Sequence, residues 1–144
     1  VIGNSMKEPL WDAIWRENIE EVSRLLKPNT DFTTQASNGH TLLMQAAEME
    51  NIEIAELLIS MGADVDVQGY NGATPLHISV DISIDGTIQS GGKPGDEPVE
   101  FILFLLENGA DRDIKDYDGK SALEWAESYG SEKVTSLLKS AYKH

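Results

Sequence analysis

Asn71-Gly72-Ala73-Thr74-Pro75-Leu76-His77 decides how this chain is read, because a variant stands 33 residues earlier as Asn38-Gly39-His40-Thr41-Leu42-Leu43-Met44. In each copy an Asn-Gly turn precedes a Thr able to cap a helix, and apolar residues follow. The offset recurs: Leu10 and Leu43 are 33 apart, as are Asn18 and Asn51. Gly62-Ala63-Asp64 returns as Gly109-Ala110-Asp111 after 47 residues, and Gly72 returns as Gly119 at the same spacing. Since 47 is 33 plus 14, the chain reads as four units of 33 with 14 extra residues inside the third.

Each unit reads as helix, turn, helix and a Gly/Asp-rich connection. In the second, Thr41 opens a short helix whose Ala46 and Ala47 permit close packing. A second helix runs from Ile52 to Ser60 with Ile54, Leu57 and Leu58 on one stripe, and Gly62 supplies the left-handed residue that ends it. Asp64-Val65-Asp66-Val67 alternates like a short extended arm before Tyr70-Asn71-Gly72 turns the chain.

Thr74-Pro75-Leu76-His77 resembles the TPLH tetrapeptide of ankyrin repeats, and Leu103 to Asp111 resembles that family's LLxxGAD close. The second unit has Thr41-Leu42-Leu43-Met44 in place of TPLH, and the fourth has Ser121-Ala122-Leu123-Glu124. The first keeps only Leu10-Trp11-Asp12-Ala13 and the region of Asn18. The resemblance covers about residues 7–142 and implies an all-α ankyrin repeat solenoid of four helix-turn-helix repeats with hairpin-like loops. The repeats fall at about 7–35, 36–68, 69–115 and 116–142, the insertion at 83–96, and residues 1–6 are set aside as an N-terminal tail. Arg24, Glu127 and Lys139 stand where other units carry apolar residues, which predicts solvent-covered ends and a complete array. Trp11 and Trp125 fall at packing positions. Within the insertion, Ile82, Ile84 and Ile88 predict a small extended turn around Gly86, followed by an irregular Gly/Pro remainder. Two readings of it stay open: a binding loop, or a tolerated surface loop whose length costs little. Its Gly-Gly…Pro-Gly…Glu-Pro pattern is similar to inserts of small bacterial ankyrin proteins.

The composition sets further bounds. The chain has 144 residues, 40% of them hydrophobic, with 25 acidic against 11 basic side chains and a formal net charge of −14. One domain of this length buries roughly 68–70% of its unfolded surface. The charge repels phosphates, so nucleic acid and anionic membranes are not expected partners. No apolar run reaches the ~18 residues of a membrane span. There is no cysteine, hence no disulfide or thiolate metal site. No cationic n-region with a long apolar h-region opens the sequence, and a cytoplasmic location is expected.

No catalytic constellation emerges, so a non-enzymatic protein without cofactor or metal is expected. Gly86 and Gly91 have a Walker-type gap, but Gly92 intervenes before Lys93, and Pro94 occupies the place of the Mg²⁺-binding hydroxyl. His40, His77 and His144 are scattered and form no ligand cluster. The ankyrin resemblance implies that His77 bonds backbone between neighbouring units. The competing reading, an enzyme in which His77 acts with Asp81 and the inserted loop, predicts a closed pocket beside His77.

The family's partner surface is the concave side, made by the hairpin tips and the exposed ends of each first helix. By register this side carries Trp15 and Arg16, then His40, Glu48 and Met49, then Tyr70, Asn71, Asp81 and Ile82, then Tyr117, Asp118 and Tyr129. Aromatic and Met residues are the types enriched at protein interfaces. Between Lys27 and Lys93 there is no Lys or Arg but nine acids, so the negative field is centred on the second and third units. The expected function is a monomeric protein-binding module that takes a basic protein, and resemblance to small bacterial ankyrin proteins suggests inhibition or immunity. Rival expectations are a scaffold subunit and an acidic inhibitor that imitates DNA.

Overall fold

Short polar side chains at the turn-helix junctions set where each helix begins. In the computed structural model, which describes residues 8–140, the helices are α1 (Pro9–Trp15), α2 (Ile19–Leu25), α3 (Leu42–Glu48), α4 (Ile52–Ser60), α5 (Pro75–Gln89), α6 (Glu100–Glu107), α7 (Ala122–Tyr129) and α8 (Glu132–Ser140). Asn18, Thr41, Asn51, Thr74 and Ser121 each accept a backbone N–H in the first turn of the helix that follows. Such a cap is worth ~1 kcal/mol relative to Ala. At Thr74 and Ser121 the third helical residue, His77 or Glu124, bonds back to the cap's own N–H.

The helices pair as α1/α2, α3/α4, α5/α6 and α7/α8, and the first helices stack in the order α1, α3, α5, α7. Close approach along that layer follows from small residues at equivalent register: Ala13, Ala46, Ser79 and Ala126 are all buried. The residue after each is Ile14, Ala47 and Val80 in the first three units, all buried, and Glu127 in the last, which is exposed 3.8 Å from Lys139. Arg24 is likewise exposed and paired with Glu21. Trp11 and Trp125 pack against the core while their indole N–H groups donate to His40 O and Asp116 Oδ2.

Two segments depart from their expected form. Residues 82–89 are not an extended turn: α5 runs on to Gln89, with Ile84 buried and Ser83 Oγ donating to Pro98 O at 2.6 Å. Packing of Ile84 and the Ser83 tether outweigh the low helix propensity of Gly86. The helix stops at Ser90, where Gly91 and Gly92 turn back onto Ile88 O and Thr87 O. Asp64–Val67 is not an extended arm either, because Asp64 Oδ1 accepts Asp66 N–H at 2.9 Å and closes a turn. Asp31 and Asp111, at the same register, bond Thr33 N–H and Asp113 N–H in the same way.

Candidate functional site

The tips between units are zipped edge to edge. Tyr70 N–H donates to Gly39 O at 2.9 Å and Tyr117 N–H to Asn71 O at 2.8 Å, so each tip hangs on the one before it. Asn71 Nδ2 donates to Asp118 Oδ2 at 3.0 Å, and Gln68 Nε2 bridges Gly72 O and Lys115 O. Tyr70 and Tyr117 occupy equivalent positions and each ring lies over the glycine of the preceding tip. A Cβ added at Gly39 would sit 2.4 Å from Tyr70 Cβ, and one at Gly72 would sit 2.6 Å from Tyr117 Cδ1. Both glycines also have φ in the left-handed region, +85° and +77°. Glycine is thus required twice over, for the turn and for the ring that covers it. The rings' outer faces remain open: Tyr70 is 73% exposed and Tyr117 75%.

The other candidate residues fall along the same run. Trp15 is 62% exposed and borders a small cleft with Ala36, Ser37 and Asn38 of the first tip. Arg16 pairs with Asp12 at 3.1 Å. His40 Nδ1 stands 3.0 Å from Glu48 Oε1. Tyr129 OH donates to Asp81 Oδ1, and burial, then the Asp81 carboxylate, push the phenol well above its ordinary range. Met49 contributes less than its register predicts, because it is half-buried against the core at the end of α3. Ile82 turns to a separate cleft of about 490 Å³ with Glu50, Gly86 and Pro98. The structure therefore joins Trp15, the tips with Tyr70, Asn71, Tyr117 and Asp118, and the pairs His40–Glu48 and Asp81–Tyr129.

His77 is a strut. It is 1% exposed, Nδ1 accepts Thr74 N–H at 3.0 Å, and Nε2 lies 2.9 Å from Lys120 O. Acceptance at Nδ1 leaves the proton on Nε2, which donates to the carbonyl. Burial holds the ring below the ordinary imidazole range, with Lys120 O and Asp116 pulling less strongly the other way. Trp125 stands edge-on at 4.9 Å. Both nitrogens are committed to backbone, so the ring has no free base to offer Asp81, and Asp81 itself is engaged by Tyr129. Gly86, one arm of the Walker-type spacing, lies inside α5 rather than in a phosphate loop. Among the described residues no group of three or more His, Cys, Asp or Glu is placed to hold a metal, and no helix is long and apolar enough to cross a membrane.

Three features escaped the sequence. Asp116, 6% exposed, accepts Asp118 N–H, Lys120 N–H and the Trp125 indole. Burial alone raises its pKa, but these donors together hold it below the ordinary carboxylate range. Glu97, 5% exposed, accepts Ser131 Oγ at 2.7 Å and Gly95 N–H at 2.6 Å, and Lys133 Nζ donates to Gly95 O at 3.0 Å. Ser131, then the Gly95 N–H and Lys133, hold Glu97 low against its burial. The 90–97 segment is thereby latched to the α7–α8 turn, and between them runs a groove of about 730 Å³ flanked by Lys93, Lys133 and the exposed Ile88. Register predicts the tips because they repeat; it is silent on partners 34 residues apart that occur once.

Known proteins share this organisation. A profile described as ankyrin repeats (3 copies) matches residues 10–85, and one described as ankyrin repeat matches residues 71–117. A Rickettsia bellii (strain RML369-C) protein described as an ankyrin repeat protein is 35% identical over 72 residues, 46% of this chain and 43% of its own length. A Treponema pallidum (strain Nichols) protein described as ankyrin repeat-containing is 27% identical over 132 residues, 90% of this chain and 40% of its own. The inactive serine/threonine-protein kinase TEX14 of Bos taurus is 26% identical over 136 residues, 94% of this chain and 8% of that protein. The chain thus spans less than half the length of each of these relatives. Taken with the stacked helix pairs and the zipped tips, the profile match over more than half of the 144 residues shows that this chain belongs to the ankyrin repeat family.

Proposed function

We propose that this chain is a non-enzymatic binding module that holds a basic protein against the face carrying Trp15, Tyr70 and Tyr117. Ankyrin repeats are in general protein-protein interaction modules, which supplies the class. The observation that carries the assignment to this face is that all three aromatics are more than 60% exposed, Trp15 at the end of α1 beside the first tip and Tyr70 and Tyr117 on the tips that follow, whereas Trp11 and Trp125 are packed. Large aromatic side chains left in water stabilise a complex once covered, by roughly 25 cal/mol per Å² of apolar area. The seating of Tyr70 on Gly39 and of Tyr117 on Gly72 limits the rotamer freedom lost on binding.

Charge selects the partner. The stretch from 28 to 92 contains no Lys or Arg and includes Glu48 and Asp81, both of which touch residues of this face. Such a field speeds encounter with a basic surface and repels acidic ones. Asp31, Asp64, Asp111 and Asp116 turn to backbone N–H groups and Glu97 is buried, which supports a protein partner over phosphate mimicry. The role that fits a small binding module in a cytoplasmic setting is sequestration or inhibition, with the chain acting as a monomer.

The test is capture of the partner from native extract by wild type and by Trp15→Ala and Tyr117→Ala. Each variant should keep its helical circular dichroism and lose at least tenfold in affinity. Full binding by both folded variants overturns the face assignment.

A further inference from the structure

We infer that a notch at the centre of this face receives one arginine side chain of the partner, an inference that rests on the reading above and specifies what its centre holds. The notch measures about 240 Å³ and is walled by Met44, Ile78 and Trp125 together with Tyr70, His40 and Asn71. These residues come from the second, third and fourth units, so the notch exists only in the stacked array. Its volume lies below the ~300–1,000 Å³ of small-molecule sites and suits a single long side chain.

Its chemistry points to a planar cation. No lysine or arginine lines it. Three lining residues each touch a carboxylate: His40 Nδ1 is 3.0 Å from Glu48 Oε1, Asn71 Nδ2 is 3.0 Å from Asp118 Oδ2, and Trp125 Nε1 is 3.0 Å from Asp116 Oδ2. His40 Nδ1 is shielded from solvent and its contact with Glu48 lacks hydrogen-bond geometry, which leaves this one lining atom without a hydrogen-bond partner. Met44 and Ile78 offer apolar surface to a methylene stem, and the aromatic side chains of Tyr70 and Trp125 in the lining are the type that attracts a guanidinium. Arginine combines the two, with five donors in a fixed plane, where lysine presents a compact and strongly hydrated point charge. A neutral chain gains nothing from the field of these nearby carboxylates, and an acidic one is repelled by it.

The experiment titrates the isotopically labelled protein with acetyl-Ala-Arg-Ala-amide and with its citrulline twin, which keeps the shape and loses the charge. The Trp125 indole and Ile78 methyl signals should move saturably with the arginine peptide, at least tenfold more tightly than with citrulline, while the Trp11 indole stays still. Equal response to both peptides, or shifts spread over the acidic surface, overturns the inference. The variant Ile78→Phe fills the notch and should abolish the arginine response without touching the outer faces of Tyr70 and Tyr117. If Ile78→Phe captures the partner at wild-type strength while Tyr117→Ala does not, the face stands and the arginine site falls. If Trp15→Ala and Tyr117→Ala both capture it fully, the face itself is wrong.

Discussion

Replacing His77 by leucine removes two backbone bonds while nearly conserving volume. Thr74 N–H and Lys120 O then lose their partners at 3.0 and 2.9 Å, the first of them buried. Each unsatisfied group costs ~1–3 kcal/mol. The leucine returns about 1–2 kcal/mol of apolar burial and forfeits the edge-on contact with Trp125, worth ~0.5–1.5 kcal/mol. Taken at the middle of each range, the net destabilisation is about 3.5 kcal/mol, or roughly 7–14 °C in Tm for a chain of this size. The pH dependence is the sharper readout. The folded ring titrates below its unfolded value because burial disfavours the cation. Between those two values the unfolded chain binds more protons, so stability is full above ~6.5 and falls as pH drops below it, with a slope approaching ~1.4 kcal/mol per pH unit. Protonation also puts an N–H at Nδ1 against the Thr74 N–H, which opposes folding in the same direction. Urea unfolding of both proteins from pH 7.5 to 5.5 isolates this contribution, since the other titrating groups are common to both. Parallel pH profiles would refute the neutral-strut account of His77.

The tip glycines give a second comparison. Gly72→Ala should cost about 2–3 kcal/mol in urea unfolding, from a left-handed φ of +77° and a Cβ 2.6 Å from the Tyr117 ring. Gly119→Ala, with φ +82° and nothing within 4 Å, should cost only ~1 kcal/mol; equal losses would show that the ring seat is immaterial. Glu97→Ala strips the latch of its acceptor and should destabilise by about 1–3 kcal/mol. Because Glu97 is held low when folded, its contribution is present above the unfolded carboxylate value and lost as pH falls through the folded one, so the acid-side decline of the variant should be shallower than that of wild type. Excision of residues 83–96 restores the 33-residue spacing but removes buried Ile84 and the Ser83–Pro98 bond, and should lower stability by about 2–4 kcal/mol by calorimetry; an unchanged Tm would mark the segment as a passive loop.

How much was legible depended on whether a signal repeats. The period, the Thr41 helix and the ending of α4 at Gly62 follow from local chemistry seen more than once, and the backbone role of His77 came with the resemblance of its tetrapeptide to the ankyrin TPLH. The exposure of Tyr70 and Tyr117 followed from register alone, though the glycine seats beneath them did not, since nothing local ties residue 117 to residue 72. The extension of α5 was hidden by Gly86, whose low propensity argues against helix until Ile84 finds the core. Asp64–Val67 alternates like a strand, yet the aspartate's own side chain is the nearest acceptor for the second following N–H, and the local bond wins. Met49 is half-buried rather than open, because a helix C-terminus is oriented by packing that a register count does not see.

The aspartate turns have a consequence for how this protein can vary. Asp31, Asp64 and Asp111 each fold their own loop through a carboxylate oxygen, and Asp116 knits the last tip. The charge of the first three is therefore a by-product of geometry, inherited with the copied unit, whereas Glu53 and Glu56 sit exposed on α4 and can drift freely. A lineage that needed to bind an acidic protein could reverse the second group one residue at a time, but would find the first nearly immovable, except by asparagine, which keeps the turn and drops the charge. The acidity of such a chain is in part a fossil of its loops, and only the remainder is open to selection by whatever it holds.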